Sequence, residues 1–229
     1  MLSVKEGFFE GKDFKEGEFK ALIPKYYPEK YRKYIREETR LLKLRLKGAG
    51  RILEAGVGIG RLIPELAPLV KEFVGVDNAD LMIRKSDEIA KNYPNVKVMR
   101  ADLEESSKLF SKDYFDFILC VWNTLGNVKD EAAVLAELSK IMSKSIFVTV
   151  YHKGTLKERQ EWYESVGVKI SKVDEKNEIF YSESGLKSKS YSLEDVEVIA
   201  KASNLRVKDS RILAGVILWA ELERLPGKR

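Results

Sequence analysis

The residues most able to carry chemistry lie in a short turn with glycine at every second position. Gly56, Gly58 and Gly60 follow an apolar pair, Ile52 and Leu53, that is typical of the end of a buried strand. Glycine tolerates backbone angles and close approaches that a Cβ atom would block, so the turn can lie directly against a ligand. The sequence therefore predicts a ligand-binding turn between a strand and a helix.

Three acidic side chains accompany this turn, one at or near the end of each of three predicted strands: Glu54, Asp77 and Asp102. A carboxylate offers two acceptor oxygens, so Asp77 could bind both hydroxyl groups of a ribose, as in nicotinamide-binding domains. Two features argue against a dinucleotide. The G-x-G-x-G spacing differs from the dinucleotide pattern G-x-G-x-x-G, and Glu54 would repel a pyrophosphate but suit an ammonium group.

The run of residues 54–61, Glu-Ala-Gly-Val-Gly-Ile-Gly-Arg, resembles the first motif of the class I S-adenosylmethionine (SAM) dependent methyltransferases. The resemblance extends through residues 75–83 and Asp102-Leu103, and it covers roughly residues 50–150. It implies SAM as cofactor and S-adenosylhomocysteine as product. The cofactor-binding residues that it implies are Glu54, Gly56, Val57, Gly58, Gly60, Asp77, Asn78, Met82, Asp102, Leu103, Val121, Tyr26 and Tyr27.

Several of these assignments leave a structural alternative open. Met82 could equally pack in the core, and Asp102 could simply cap a loop. Tyr26 and Tyr27 precede a basic helix, where related enzymes place residues over SAM, but they could also be core residues. A structural glycine turn in another α/β fold is the alternative for the motif as a whole.

The predicted acceptor site lies in the loops after the fourth and fifth strands. Methyl transfer from a sulfonium depends mainly on alignment and exclusion of water, which contribute up to about 7–11 kcal/mol in model reactions. Trp122 could attract the sulfonium through its ring, and Asn123 and Thr124 could hydrogen-bond the acceptor. His152, the only histidine, could act as a general base or merely cap or pack. Trp122, Asn123 and His152 are thus the predicted catalytic residues, and no metal site is predicted.

The loop after the fourth strand also bears on the acceptor. Its sequence, Val-Trp-Asn-Thr-Leu-Gly-Asn at residues 121–127, lacks the Asp/Asn-Pro-Pro-aromatic motif of nucleic-acid amino-methyltransferases. Cys120 lies inside the strand and is expected to be inert rather than nucleophilic. The loop more closely resembles small-molecule N- or O-methyltransferases, so a small-molecule acceptor is predicted.

The composition describes a globular chain with no membrane segment. Of 229 residues, 44% are hydrophobic and 34% charged, and no apolar run approaches the ~20 residues of a membrane span. The single cysteine excludes an intrachain disulfide, and together with the absence of a signal-like N-terminus it favours the cytoplasm. Abundant Lys and Glu with one Gln resemble the composition of thermophile proteins.

One basic segment supplies the main alternatives for function. Residues 25–51 hold ten Lys or Arg and three Glu, a local charge of +7 within a chain of net +5. Such a patch could bind RNA or an acidic protein, which would then be the methyl acceptor, or it could be a solvated helix face. A SAM-binding regulator without turnover is a third possibility. Nucleic acid is the less favoured partner, and the sequence does not define the oligomeric state.

The elements that must hold these residues alternate along the chain. Strands are predicted near 51–55, 72–77, 96–102, 115–121 and 145–150, with helices between them, including one from Ile63 to Val70. Such alternation predicts a Rossmann-like, doubly wound α/β sheet whose loops after the strands share one edge. Two closing strands near 205–213 and 216–224 would complete a seven-stranded, mostly parallel sheet with an antiparallel C-terminal strand, as in the methyltransferase family.

The predicted domain organisation adds a cap and an insertion to this sheet. Residues 1–48 would form an N-terminal arm and a cap helix at about 29–47, and residues 49–229 the SAM-binding domain. Period-2 alternation within 168–191, with turns at 174–177 and 184–185, predicts an inserted β hairpin or small sheet. Together with a helix at 155–166 it would form a substrate lid at about 155–191.

Overall fold

The computed structural model describes residues 19–226, so most of the predicted N-terminal arm lies outside the described residues. The α-helices are α1 (Glu29–Leu46), α2 (Ile63–Leu66), α3 (Asp80–Ala90), α4 (Ser106–Leu109), α5 (Thr124–Asn127), α6 (Glu131–Ile141), α7 (Leu156–Ser165) and α8 (Leu193–Ala202). The strands are β1 (Arg51–Ala55), β2 (Glu72–Asp77), β3 (Val96–Arg100), β4 (Phe115–Cys120), β5 (Met142–His152), β6 (Ile170–Asp174), β7 (Ile179–Ser182), β8 (Lys187–Tyr191), β9 (Leu205–Leu213) and β10 (Ile217–Arg224). Short 3-10 helices occur at Pro24–Tyr26, Ala67–Leu69 and Leu103–Glu105.

The main sheet confirms the predicted α/β fold class. Its strands lie in the order β3-β2-β1-β4-β5-β10-β9, and all neighbours up to β5 pair in parallel. Strand β10 pairs antiparallel with both β5 and β9, so it is the single reversed strand. The strand order reverses between β1 and β4, and this is the point where ligands bind in open α/β sheets.

The predicted insertion forms a second, three-stranded antiparallel sheet, β6-β7-β8. It joins the main sheet through a short parallel pairing of β8 with the end of β5, at Tyr151↔Ser190 and His152↔Tyr191. Helix α8 follows β8 and begins with a capping box, in which Ser192 and Asp195 bond each other's backbone N–H groups. The pairing with β5 holds the small sheet at the same edge as the loops after β1 to β4.

Both faces of the main sheet are covered by apolar residues. Alternate residues of a strand point to opposite faces, and Ile52 and Leu53 accordingly fall in two separate buried clusters. The cluster around Ile52 includes the stripe of α1 with Tyr31, Tyr34 and Leu42. The other cluster packs α6 and α8 against the sheet. Helix α1 is therefore part of the main core, although the proposed division at residue 48 stays a prediction.

Several elements differ in length from the sequence prediction. The helix expected from Ile63 to Val70 ends at Leu66 and continues as a 3-10 turn, because Pro68 lacks the N–H that an α-helix needs there. Strand β5 is longer than expected and begins at Met142 directly after α6. Strand β3 ends at Arg100 and β5 at His152, so their carboxyl ends lie two residues from the predicted positions 102 and 150.

Candidate functional site

A cleft opens at the carboxyl ends of β1, β2, β3 and β4. Its walls are formed by Leu22, Gly56, Gly58, Asp77, Asn78, Met82, Ala101, Asp102, Leu103, Glu104, Trp122, Thr124, Asn127, Val128, Lys129, Val134, Gly185, Leu186 and Lys187. Nine of the residues singled out from the sequence line it: Gly56, Gly58, Asp77, Asn78, Met82, Asp102, Leu103, Trp122 and Thr124. The sheet topology thus brings side chains that are far apart in the sequence to one edge of the sheet.

The glycine turn is held in place by Asp77. One carboxylate oxygen of Asp77 accepts the N–H of Gly58 at 2.9 Å, and the other accepts the N–H of Ala79 at 3.0 Å. The end of β2 therefore fixes the turn that follows β1. An acid at this position has a structural role in addition to any contact with a ligand.

The glycines of the turn meet different neighbours, and all three have positive φ. A Cβ atom on Gly56 would lie 2.6 Å from Oγ1 of Thr124, and one on Gly60 would lie 3.1 Å from Ser86. A Cβ atom on Gly58 would meet no protein atom within 4 Å. Packing thus requires glycine at two positions, whereas at Gly58 the missing side chain leaves open space at the cleft.

Asp102 and Leu103 lie on the cleft wall at the start of a 3-10 helix. The carboxylate of Asp102 accepts the N–H of Glu104 at 3.0 Å, so the capping alternative is realised in the structure. Met82 is 2% exposed, so the core alternative also describes it, although it reaches the cleft. Asp102 therefore lines the cleft while it caps a helix, and Met82 lines the cleft while it packs in the core.

Trp122 stands on a strained turn at the end of β4. Trp122 and Asn123 both have positive φ, 55° and 60°, which is rare for residues other than glycine. Thr149 on β5 stabilises this conformation, because its Oγ1 accepts the N–H of Trp122 and its carbonyl accepts the N–H of Asn123, each at 2.8 Å. The indole stacks against Tyr27 and Tyr34, with ring centroids 4.9 Å and 5.4 Å away. The ring position is therefore fixed from both the sheet and the cap.

A buried polar network connects helix α1 to this turn and to the glycine turn. Glu38 is fully buried, and its Oε2 accepts Nη2 of Arg61 at 2.6 Å. Its Oε1 accepts the hydroxyl groups of Tyr34 and Thr149. This network was not predicted from the sequence. The sequence did contain one indication of it. Glu38 lies at a helical spacing that places it on the same face as the apolar residues Tyr31, Tyr34 and Leu42.

Glu54 is buried beneath the cleft, and its Oε2 has no hydrogen-bond partner among the residues that the structure describes. Burial raises the pKa of Glu54 to about 8; Arg61 opposes the rise, and Glu38 and Asp77 add to it. Nη1 of Arg61 is also buried without a partner in the described range. Loss of hydration opposes the charge of Arg61, but Glu38, Tyr34 and Tyr27 together outweigh this effect and raise the pKa of the guanidinium. The region below Trp122 thus contains an acid and a cation that each have an unused polar atom.

The raised pKa of Glu54 predicts a pH-dependent stability. Protonated Glu54 is favoured in the folded state, so its stabilisation is complete below pH 4.5 and is lost as the pH rises towards about 8. We expect Glu54→Gln, which stays neutral, to unfold at higher urea concentration than the unmodified chain at about pH 9 and at a similar concentration near pH 4. Equal midpoints at both pH values would show that Glu54 is ionised in the folded protein.

The other predicted site residues lie outside the cleft lining. Tyr27 is buried against Trp122, and Tyr26 is 37% exposed beside it. The Asn123 side chain is buried and accepts the N–H of Tyr151. His152 ends β5, and its Nδ1 is buried without a partner in residues 19–226. The remaining residues in this group are Glu54, Val57, Gly60 and Val121. Their proposed roles stay predictions.

The structure adds cleft residues that the sequence did not indicate. Leu22 comes from the segment before α1, and Asn127, Val128 and Lys129 from the connection between α5 and α6. Gly185, Leu186 and Lys187 come from the turn between β7 and β8 and from the start of β8. These last three residues lie within the predicted substrate lid at about 155–191, but no sequence pattern indicated which residues of that segment would reach the cleft.

Two further features are absent from residues 19–226. No group of three or more His, Cys, Asp or Glu side chains in this range is arranged to hold a metal ion. No helix in the same range is long and apolar enough to cross a membrane.

Comparison with known proteins relates both the sequence and the fold to methyltransferases. Residues 52–145 match a family model described as a methyltransferase domain. Phosphoethanolamine N-methyltransferase 1 of Arabidopsis thaliana is 35% identical over 86 residues, which are 38% of this chain and 18% of that protein. The chain therefore matches less than a fifth of that relative's length.

Two solved structures share the fold over most of the chain. A protein from Pyrococcus horikoshii OT3 has a TM-score of 0.69 at 22% identity, covering 91% of this chain and 99% of that one. The 1,6-didemethyltoxoflavin-N1-methyltransferase of Burkholderia thailandensis, solved with S-adenosylhomocysteine, has a TM-score of 0.64 at 15% identity, covering 84% and 79%. Residues 52–145 are therefore similar to a methyltransferase domain, and the described chain shares the fold of these two solved structures.

Proposed function

We propose that the protein is a SAM-dependent methyltransferase that moves a methyl group to a nitrogen or oxygen atom of a small molecule and leaves S-adenosylhomocysteine. One observation carries this proposal. The glycine turn, Asp77 and Asp102-Leu103 come from three successive strands and line one cleft. That arrangement suits an adenine nucleoside attached to an amino acid, and the matched family model points the same way.

The residues around the cleft fit the polar groups of SAM. The unused Oε2 of Glu54 can accept the ammonium group of a methionine moiety, and the unused Nη1 of Arg61 can donate to its carboxylate. The open space at Gly58 lets backbone approach the ligand without a side chain between them. Asp77 offers two oxygens to the ribose, and Asp102 lies one strand further along.

The chain's own groups would act mainly by alignment. When bound, SAM supplies an electrophilic methyl group on a sulfonium. Thr149, Tyr27 and Tyr34 support Trp122, so its ring would form a fixed wall of the cleft where donor and acceptor meet. Leu22 and Leu186 would exclude water from it. Alignment of donor and acceptor does not require a histidine, cysteine or tyrosine in the cleft lining.

The closure of the cleft favours a small acceptor. The segment around Leu22 and the turn at Gly185 both lie on the cleft wall, from opposite ends of the chain. A bulky macromolecule would have to displace both. The Burkholderia thailandensis neighbour acts, by its name, on 1,6-didemethyltoxoflavin, and the Arabidopsis thaliana relative on phosphoethanolamine. Both are small molecules.

The charges of α1 give less support to RNA or an acidic protein as acceptor. Many of its cations already have acidic partners: Lys30 pairs with Glu158, Arg32 and Arg36 with Glu29, Lys33 with Glu37, Lys43 with Glu65, and Arg45 with Asp209 and Glu221. Paired cations bind few additional phosphates, so the basic segment is better described as a solvated face.

Two measurements test the proposal. Isothermal titration should show binding of SAM and no comparable binding of NADH. Incubation with SAM and a panel of small amines and alcohols should then accumulate S-adenosylhomocysteine, which also excludes a regulator without turnover. Tight NADH binding without SAM binding would contradict the proposal. Steeply salt-dependent tRNA binding that Arg32→Glu with Lys33→Glu abolishes would instead support the nucleic-acid alternative.

A further inference from the structure

The cleft has two walls of opposite charge. The wall made by the ends of β1, β2 and β3 carries the acids Asp77, Asp102 and Glu104. The facing wall is formed by the loop after β4, the connection to α6 and the turn before β8. Its charged residues are both lysines, Lys129 and Lys187.

The two lysines come from separate parts of the chain. Lys129 is exposed in the connection between α5 and α6, and Lys187 is half-buried at the first position of β8. Among residues 19–226, neither ammonium group has a hydrogen bond or an ion pair. This contrasts with nearby Lys189, which pairs with Glu131 at 2.9 Å. The acid that acts on Lys187, Glu131, is already paired with Lys189, so the two lysines add positive charge to the cleft without an ion pair of their own.

The surroundings of Lys187 make this charge costly without a ligand. Burial lowers the pKa of its ammonium, Glu131 acts in the opposite direction, and the like charge of Lys189 lowers the pKa further. An anion at Lys187 would restore the interactions that burial removes. Charge-assisted hydrogen bonds of this kind are about twice as strong as neutral ones.

We propose that Lys187 and Lys129 bind an anionic group, a phosphate or a carboxylate, on the small molecule that receives the methyl group. The inference rests on the proposed function, since SAM would occupy the acidic wall and leave the lysine wall to the acceptor. The nucleophilic nitrogen or oxygen would then face Trp122, and the anionic group would lie towards β8. The lysines orient the acceptor and are not placed in the transfer step itself.

Matched pairs of probes separate this inference from general affinity for amines. Phosphoethanolamine is compared with ethanolamine, and glycine with glycinamide, on protein saturated with S-adenosylhomocysteine. The two members of a pair differ only in the anionic group. The first pair therefore reports recognition of a phosphate, and the second reports recognition of a carboxylate. We expect the anionic member of at least one pair to bind at least about tenfold more tightly, with an affinity that falls as salt rises.

Variants of Lys187 assign that preference to the lysine wall. Lys187→Met, which keeps the length and removes the charge, should lose about tenfold in affinity for the anionic probe, and adding Lys129→Met should lose more. Lys187→Arg should keep most of the preference. The affinity for S-adenosylhomocysteine should stay unchanged in all of them. Lys176→Ala is the matched control, because Lys176 is an exposed lysine of the same small sheet that lies outside the cleft lining.

The outcomes separate this inference from the proposed function. Equal binding of charged and neutral probes, or an unaltered preference in the double Lys187→Met and Lys129→Met variant, would overturn the anion site while leaving SAM binding intact. Failure of the unmodified protein to bind S-adenosylhomocysteine would instead contradict the proposed function. The same probe titrations on the cofactor-free protein would then still report whether the lysines select anions.

Discussion

We expect Gly58→Ala to weaken SAM binding by about 100-fold, or ~2.7 kcal/mol, and to lower the free energy of unfolding by a smaller amount. A Cβ atom at Gly58 meets no protein atom and would stand in the open space of the cleft, where the ligand must approach the backbone. The φ of +53° adds strain of about 1–2 kcal/mol for a residue with a side chain. Titration calorimetry with SAM and urea unfolding measure the two effects separately.

Gly215→Ala is the control for backbone strain. Gly215 also has a positive φ, +76°, and a Cβ atom there would meet no protein atom within 4 Å, but it lies in the turn between β9 and β10. It should lose similar stability and no SAM affinity. Gly56→Ala should instead damage both, because its Cβ would collide with Thr124. Normal SAM affinity in Gly58→Ala would show that the cofactor does not lie against this turn.

We expect Glu38→Ala to destabilise the protein by about 3–5 kcal/mol, because it removes one partner of a buried ion pair. Arg61 would keep its charge in the core, and the hydroxyl groups of Tyr34 and Thr149 would lose an acceptor. The turn at Trp122 should loosen as well, since Thr149 supports it. Urea unfolding gives the stability, and SAM titration reports the effect on the site.

A double variant tests whether the loss comes from the unpaired charge. Glu38→Leu with Arg61→Met removes both charges, so it should be less destabilising than the sum of the two single changes. Glu29→Ala is the control on the same helix, because Glu29 is exposed, and its melting temperature should remain close to that of the unmodified chain. Additive losses in the double variant would contradict the ion-pair explanation.

The positions of the main site residues were predictable because strand ends and glycine turns are local features. Asp77 ends β2 and Asp102 lies two residues beyond β3, and parallel strands bring their carboxyl ends to one edge. The sequence also indicated the small sheet at 168–191 through its period of two. It could not predict that Asp77 braces Gly58, because a hydrogen bond between two strand ends depends on their register.

The roles of buried charges were less accessible from the sequence. The sequence of the basic helix allowed either a nucleic-acid surface or a solvated face. In the structure, its cations largely pair with acids on the same helix and on neighbouring elements. Glu38 was counted among the solvated charges, although the structure places it in the core. Partner choice among charged side chains depends on packing between elements, and sequence spacing does not report it.

The sequence alone determined the α/β class, the strand that ends in the glycine turn and the acids of the following strands, because these follow from periodicity, turn chemistry and the direction of parallel strands. Which residues face that turn depends on how the elements pack against one another. This packing brought the Glu38–Arg61 pair beneath Trp122 and placed Lys129 and Lys187 on the opposite wall. These contacts join residues widely separated in the chain, and they form because folding buries apolar faces whose relative orientation no local pattern specifies.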